Sequence, residues 1–456
     1  MLNEALQYAQ LHRDSFLTEL KDFLALPSVS ALPEHKPDIQ RTAQWLAEKF
    51  TSLGLQNAQV NPTPGHPIVT AEWLEAGPDK PTVLIYGHYD VQPIDPIELW
   101  HSDPFKAEVR NDYLYARGAS DDKGQAFIYA AVLESFMQTS GKLPVNVKLI
   151  LEGEEEIGGP SLDPFIESHR EQLTADVAVI SDTHMLRPDL PCLVYALRGL
   201  CYIQVEITGP ARDLHSGQYG GAIYNPIQAL SEMLASLKDH DGHITVPGFY
   251  DKVVPLSEAE RKILAQAPFN EQEFMQDAGV NGVWGEKGYT TKEQISARPT
   301  LEINGIWGGF TGEGSKTVLP AKAFAKISCR LVANQDHVEI AELLSQHLKQ
   351  IAPPSVKVEI KRLHGGHGAL IKLDSKYMRA AHQVLQQVFD HAPIYEREGG
   401  SIPVVATFQK TLGIDSIMLG FGLPDDNLHS PNERFYLPNF YHGIETVIRY
   451  FVEIGK

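Results

Sequence analysis

Residues 81–90 read Pro-Thr-Val-Leu-Ile-Tyr-Gly-His-Tyr-Asp, a short apolar run that ends in a histidine and an aspartate. An apolar run bounded by proline and glycine predicts a strand that is buried on both faces of a sheet. Because residues two apart in a strand point to the same side, His88 and Asp90 should project together from its end. This stretch therefore predicts a buried strand that delivers polar side chains to one edge of a sheet.

The pattern of a strand followed by polar residues recurs twice. Residues 145–151 are rich in apolar side chains and precede the acidic run 154–156, and residues 176–180 lead into Asp182. A helix is expected over residues 122–134, between the first two of these strands. Alternating strands and helices, with polar residues at the strand ends, are typical of an open α/β sheet with a functional site at that edge.

Several side chains at or after these strand ends are potential metal ligands. They are two histidines and four carboxylates: His88, Asp121, Glu155, Glu156, Asp182 and His429. Divalent zinc or manganese prefers such ligands, and their number suits two ions better than one. The run 154–156 also concentrates negative charges that repel one another unless a cation is near.

Each of these residues also has an ordinary structural explanation. Asp121 could cap a helix, the run 154–156 could be a solvated acidic surface, and His429 could be a hydrogen-bonded surface histidine. Taken one at a time, these explanations are the simpler ones. Taken together, the residues at several strand ends indicate a binuclear metallohydrolase.

The pattern of apolar and polar residues changes from about residue 197. Residues 202–207 and 323–330 alternate between apolar and polar, as expected for strands with one face in water. Residues 226–237 are a predicted helix, and helices on the other face of such a sheet would make an α+β domain of the ferredoxin-like kind. The glycine-rich run 364–368 is the predicted exit hinge from this domain.

The rest of the chain resumes the first pattern, with a helix, a strand and a helix over residues 377–451 that would complete the first sheet. We therefore predict a discontinuous catalytic, metal-binding domain with a mixed α/β sheet, formed by residues 1–197 and 367–456. Residues 198–366 are the predicted inserted α+β domain.

Composition and charge restrict the partners of this protein. The 456 residues carry a formal charge of −19, which would repel phosphate backbones and anionic membranes, so we expect neither nucleic acid nor a membrane as partner. Its three cysteines, Cys192, Cys201 and Cys329, are too widely spaced for a disulfide framework or a thiolate zinc site, which fits a reducing compartment. The first residues lack the features of a signal peptide, so the predicted location is the cytoplasm.

Five segments make the sequence recognisable. They are Ile-Tyr-Gly-His-Tyr-Asp-Val-Gln-Pro at 85–93, Arg-Gly-Ala-Ser-Asp-Asp-Lys-Gly at 117–124, Leu-Glu-Gly-Glu-Glu-Glu at 151–156, Asp-Leu-His-Ser-Gly at 213–217 and Glu-Gly-Gly-Ser-Ile-Pro at 398–403. The sequence resembles the M20 metallopeptidases, and within them the branch of cytosolic nonspecific dipeptidases and carnosinases. The resemblance runs from about residue 15 to the end of the chain.

This resemblance implies a site with two divalent metal ions per subunit, zinc first and manganese or cobalt as alternatives. It places His88 and Asp182 on one ion, Glu156 and His429 on the other, and Asp121 between them. It makes Glu155 the general base and gives Asp90 the task of orienting His88. Two divalent ions would be balanced by three carboxylates and a bridging hydroxide, so the site could be buried at low desolvation cost.

The resemblance also implies that the inserted domain is a lid that binds substrate and forms a homodimer. Arg330 would hold the free carboxylate of a dipeptide or short peptide, and His215 would reach across the dimer interface to stabilise the oxyanion. Further substrate contacts would come from His364, Ser401, Thr317 and Asn225.

Two other functions remain compatible with the sequence. The same metal site could cleave the amide bond of an N-acyl amino acid, because residues of the substrate pocket decide between these reactions. The protein could also be a noncatalytic peptide-binding protein, although every proposed ligand and the base are present. Metal-dependent hydrolysis of dipeptides or short peptides is the leading hypothesis.

Overall fold

The computed structural model describes residues 1–400 and 402–456. Its strands are, in chain order, β1 Gln56–Asn61, β2 Ile68–Trp73, β3 Thr82–His88, β4 Glu108–Arg110, β5 Tyr113–Tyr115, β6 Asn146–Glu152, β7 Val177–Ile180, β8 Cys192–Leu197, β9 Gly199–Thr208, β10 Leu214–His215, β11 Glu302–Gly308, β12 Val318–Leu319, β13 Lys322–Leu331, β14 Lys357–Gly366, β15 Ala369–Leu370, β16 Ile394–Glu398, β17 Ser416–Met418 and β18 Arg434–Tyr436.

The helices are α1 Leu2–Leu11, α2 Arg13–Leu24, α3 Lys36–Ser52, α4 Lys123–Ser140, α5 Leu162–Ser168, α6 Ser216–Tyr219, α7 Pro226–Ala235, α8 Glu258–Leu264, α9 Glu271–Asp277, α10 Thr291–Ser296, α11 His337–Ile351, α12 Lys376–Phe389, α13 Pro403–Thr407 and α14 Leu437–Ile454. Short 3-10 turns lie at Pro33–His35, Ile97–Leu99 and Glu155–Ile157, and a π-helical turn at Phe408–Leu412 follows α13. Among the described residues, no helix is both long and apolar enough to span a membrane.

The described chain divides into two compact units. The first comprises Met1–Tyr195, Ile371–Glu396 and Thr407–Lys456, and the second comprises Ala196–Leu370 and Arg397–Ala406. The second unit differs by a few residues from the insertion expected at 198–366. It also includes Arg397–Ala406, a segment that was expected to belong to the catalytic domain.

The first unit is built on a mixed sheet in the order β1-β2-β6-β3-β7-β17-β8. The central pairs β6/β3, β3/β7 and β7/β17 are parallel, whereas β1/β2, β2/β6 and β17/β8 are antiparallel. The apolar runs of β3, β6 and β7 are almost wholly buried. Helix α4 packs on β3 and against α1, α2 and α14. The predicted strands therefore form the centre of an α/β sheet.

The second unit contains a four-stranded antiparallel sheet in the order β11-β13-β9-β14. Buried and partly exposed residues alternate along β9 and β13, and the buried set packs with apolar residues of α7 and α11 into one core. The chain order of strand, helix, two strands, helix and strand, with this sheet order, is the ferredoxin-like α+β arrangement expected from the sequence.

One local prediction was wrong in part. The glycine-rich run 364–368 is not a hinge at its start, because β14 continues to Gly366, whose partner is Leu200 of β9. Pairing with a neighbouring strand can extend a strand through glycines, and the sequence of the run itself does not reveal this.

Candidate metal centre

Three neighbouring strands of the first unit end at the same edge of its sheet. Because β6, β3 and β7 lie side by side and are parallel, their carboxyl ends meet. His88 is the last residue of β3, Glu155 begins the helical turn after β6, and Asp182 follows closely after β7. The polar residues that the sequence places after these strands are therefore brought together.

Two groups of possible metal ligands form at this edge, and they share Asp121. The ligand atoms of His88, Asp121 and Asp182 lie within 4.8 Å of one another, as do those of Asp121, Glu156 and His429. Oδ1 of Asp121 is 3.0 Å from Nε2 of His88, whereas its Oδ2 is 2.9 Å from Nε2 of His429. Nε2 of His429 is also 3.2 Å from Oε2 of Glu156. A carboxylate that turns one oxygen to each group is arranged as a bridging ligand would be.

The charges of this cluster favour bound cations. Burial lowers the pKa of His88, but hydrogen bonds to Asp121 and Asp90 outweigh burial and raise this pKa well above its usual value. Hydrogen bonds to Asp121 and Glu156 raise the pKa of His429 to about 10. These shifts favour the protonated form of both imidazoles when no metal is bound. The imidazole nitrogens and carboxylate oxygens of this cluster are suitable ligands for divalent cations, which would displace one proton from each imidazole.

Other carboxyl groups of the cluster have raised pKa values. Burial, followed by the charges of Asp122 and Asp121, raises the pKa of Asp182 well above its usual value. Burial also raises the pKa of Glu155 to about 7, and the charge of neighbouring Glu156 contributes. A carboxyl group that titrates near neutral pH can accept and return a proton at that pH. Glu155 is therefore a candidate for a proton-transfer role.

Asp90 connects the end of β3 with the turn that carries the two glutamates. Its Oδ1 accepts the backbone N–H of Glu155 at 3.2 Å, and its Oδ2 accepts that of Glu156 at 3.1 Å. Nδ1 of His88 lies 3.0 Å from the backbone oxygen of Asp90 and 3.4 Å from its Oδ1. Asp90 thus contacts the imidazole through its backbone and its side chain, and also holds the following turn.

Two neighbouring carboxylates have structural contacts that the sequence did not reveal. Glu154, part of the predicted acidic cluster, accepts the backbone N–H groups of His66 at 2.8 Å and Ser161 at 3.0 Å. Asp122 occupies the cap position of α4 without a capping hydrogen bond, and its Oδ2 instead accepts the backbone N–H of His88 at 3.2 Å. Asp122 thus supports the backbone of a proposed ligand, whereas Glu154 holds two segments that carry no proposed ligand.

The second unit carries the residues predicted to contact substrate. Arg330 is partly exposed near the end of β13. His364 on β14 lies opposite Tyr202 of β9, with the two rings 5.0 Å apart in an edge-to-face arrangement. His215 ends β10, where its side chain accepts the N–H of Gly217 at 3.0 Å.

The other three residues predicted to contact substrate are Asn225, Thr317 and Ser401. Asn225 caps α7 by accepting the N–H of Ile227 at 2.9 Å, so its amide oxygen already has a structural task. Thr317 is exposed, and its backbone oxygen accepts the N–H of Ser216 at 3.1 Å. Ser401 lies outside the described residues.

The fold and the ligand groups define a metal-dependent hydrolase of the peptidase class, with an α/β unit interrupted by a ferredoxin-like unit. The chain belongs to peptidase family M20/M25/M40, whose family model matches residues 84–453. The match extends through the inserted segment and over both ligand groups. It confirms the family and the enzyme class that the sequence motifs predict.

Several relatives are similar to this chain over nearly their whole length. It is 32% identical to the Cys-Gly metallodipeptidase dug1 of Schizosaccharomyces pombe, over 97% of this chain and 96% of that protein. It is also 32% identical to the human beta-Ala-His dipeptidase, over 100% of this chain and 93% of that protein. The structure of the M20 family metallo-carboxypeptidase Sso-CP2 from Sulfolobus solfataricus matches with a TM-score of 0.84 at 34% identity, covering 96% of this chain and 99% of that one.

Proposed function

We propose that this protein is a two-metal dipeptidase that hydrolyses the peptide bond of dipeptides or similarly short peptides. The observation that carries the proposal is the position of Asp121, whose two oxygens face the two imidazoles of separate ligand groups. The relatives named as Cys-Gly and beta-Ala-His dipeptidases support dipeptides as the substrate class. They do not favour the N-acyl amino-acid amidohydrolase alternative.

The proposed ligands are His88 and Asp182 for one cation and Glu156 and His429 for the other, with Asp121 shared. Two divalent ions held there would polarise the scissile carbonyl and lower the pKa of a bound water. Zinc is our first choice of ion, since imidazole and carboxylate are common zinc ligands, and manganese and cobalt accept the same ones.

Residues of the chain carry the proton transfers and bind the substrate. We propose that Glu155 takes a proton from the attacking water and returns it to the leaving amine, which its pKa near neutrality supports. Asp90 orients the ring of His88 and holds the turn that carries Glu155 through hydrogen bonds to both. Arg330 binds the free carboxylate of the substrate, for which a guanidinium fork is suited. His364 and Ser401 are proposed further contacts, and Thr317 and Asn225 are the weaker ones.

We also propose a homodimer formed through the second unit, in which His215 of one subunit stabilises the oxyanion formed on the substrate of the other. The three cysteines form no disulfide, which supports the proposed cytoplasmic location.

The test is a substrate panel combined with metal analysis. Protein stripped with a chelator and reloaded with zinc or manganese should hydrolyse dipeptides, and full activity should require two equivalents of metal per chain. Dipeptides with an amidated carboxyl end should show a raised KM. Preference for acetyl- or succinyl-amino acids, or full activity with one equivalent, would reject the proposal.

A further inference from the structure

The loop between β17 and β18 carries His429 together with two fully buried carboxylates, Asp426 and Glu433, both 0% exposed. Three residues of this loop have left-handed backbone angles, with φ of +58° at Asn427, +59° at His429 and +62° at Asn432. Residues other than glycine adopt the left-handed backbone region at some cost in free energy. Other contacts must therefore hold the loop in this conformation.

The side chain of Glu433 makes four hydrogen bonds, all to the segment that ends at Asp121. Its Oε1 accepts the backbone N–H groups of Ser120 at 3.0 Å and Asp121 at 3.1 Å. Its Oε2 accepts the N–H of Gly118 at 2.9 Å and Nη1 of Arg117 at 2.7 Å. One carboxylate therefore holds the backbone of the shared ligand from a position four residues beyond His429.

Asp426 contacts the same segment from the other end of the His429 loop. Its Oδ2 accepts the hydroxyl of Ser120 at 2.8 Å and the N–H of Leu423 at 2.7 Å. Its backbone oxygen accepts the N–H of Arg434 at 3.0 Å. The loop that carries His429 is thus joined to the Asp121 segment on both sides of the histidine.

The two ligand groups are supported by different parts of the structure. His88 belongs to β3, which is paired on both sides by β6 and β7, and Asp182 lies two residues after the end of β7. The sheet therefore supports the group of His88 and Asp182. His429 lies outside any strand or helix, and its spacing from Asp121 depends on the contacts of Asp426 and Glu433.

We propose that Glu433, assisted by Asp426, is a positioning residue that holds Asp121 and His429 at the spacing required by the cation of the Glu156 and His429 group. This inference rests on the proposed two-metal function. It predicts that losing these contacts weakens the binding of one cation more than that of the other, because both groups contain Asp121 but only one of them also contains His429, which the loop carries.

The test is a metal titration of the Glu433→Gln variant. Glutamine keeps the size of the side chain, but its NH2 group replaces one accepting oxygen, and the charge opposite Arg117 is lost. Metal-stripped protein is titrated with Co²⁺, followed by visible absorption, and with Zn²⁺, followed by calorimetry. We expect the affinity for one of the two ions, the one proposed to be held by Glu156 and His429, to fall about 10- to 100-fold. The affinity for the other ion should change less than about threefold, and excess metal should restore dipeptide hydrolysis.

A second variant covers the case in which Glu433→Gln does not fold. Ser120→Ala removes only the hydroxyl contact to Asp426 and should produce a smaller shift in the same direction. The matched control is Glu293→Gln in the second unit, a buried glutamate that pairs with Arg261 and accepts the N–H of Thr290 at 2.9 Å. The control should lower the melting temperature while leaving both metal affinities unchanged.

The outcomes separate this inference from the proposed function. If the wild type binds two ions and hydrolyses dipeptides, but the variants weaken both ions equally or neither, Glu433 has only a general structural role and the inference is wrong. If the wild type itself binds one ion, or hydrolyses no dipeptide, the proposed function fails first.

Discussion

At the scale of single residues, the three consecutive glutamates at 154–156 occupy different environments. Glu154 accepts two backbone N–H groups in the interior, Glu155 has a pKa raised to about 7, and Glu156 contacts His429. Burial and hydrogen bonding, and not the residue type, distinguish the structural carboxylate of Glu154 from the proposed base Glu155 and the proposed ligand Glu156.

Replacing Glu155, the proposed base, tests directly whether its role differs from that of Glu154. Glu155→Gln should lower kcat by about 10²- to 10⁴-fold, because the amide cannot accept the proton of the attacking water. Its metal content, measured by elemental analysis, should equal that of the wild type. Glu154→Gln is the matched control and should lower the melting temperature while keeping most of kcat. Equal kcat in Glu155→Gln and the wild type would remove Glu155 from the mechanism.

The two imidazoles give a second prediction, for pH and metal binding. The pKa of His429 is raised to about 10 and that of His88 is raised well above its usual value, so the protonated form of both rings is favoured without metal. A ring must lose its proton to become a ligand, so metal binding should release protons, and apparent affinity should rise about tenfold per pH unit for each proton released. Calorimetry at one pH in two buffers with different ionisation enthalpies measures this release. Identical heats in the two buffers would contradict it.

At the scale of elements, the start of α4 sets the position of the Asp121 segment. Gly124 lies in the first turn of α4, where an added Cβ would be 1.9 Å from the backbone oxygen of Ala119. The obstacle is backbone, so it cannot move aside as a flexible side chain could.

Gly124→Ala should therefore displace the segment that leads to Asp121. We expect the free energy of unfolding to fall by at least about 1–3 kcal/mol, as for an overpacked interior, together with weaker metal binding. Urea denaturation and metal titration measure the two effects. Gly305→Ala is the control, because an added Cβ there meets no atom within 4 Å, and it should change stability by less than about 0.5 kcal/mol. Equal stability of the two variants would contradict the clash.

The elements also show which parts of the fold could be predicted. The apolar runs of β3, β6 and β7 each bury both faces, so their position and the side chains that follow them were predictable from the sequence alone. Contacts between distant segments were not, since Glu433 and Asp121 are 312 residues apart and no local pattern joins them. The extension of β14 through Gly366 likewise depends on its partner strand.

At the scale of the whole molecule, the sheet of the second unit has two edges of different character. Strand β11 forms one edge and exposes Ile303, Ile306 and Trp307, which are 45%, 51% and 41% exposed. Strand β14 forms the other edge and is rich in lysine and arginine over residues 357–362. Charged residues protect a sheet edge from pairing, whereas exposed apolar residues on an edge favour it. A second copy of the chain should therefore associate through β11.

The proposed homodimer can be tested by placing a charge on that edge. Ile306→Lys should convert the dimer to a monomer, because a lysine in a strand-to-strand interface would lose its hydration without a partner, while the half-exposed side chain contributes little to folding of the single chain. Light scattering coupled to size-exclusion chromatography gives the mass, and the melting temperature checks the fold. Leu363→Lys on β14, where leucine is 36% exposed, is the control and should leave the mass unchanged. A monomeric wild type at micromolar concentration, or dissociation by both substitutions alike, would reject β11 as the interface.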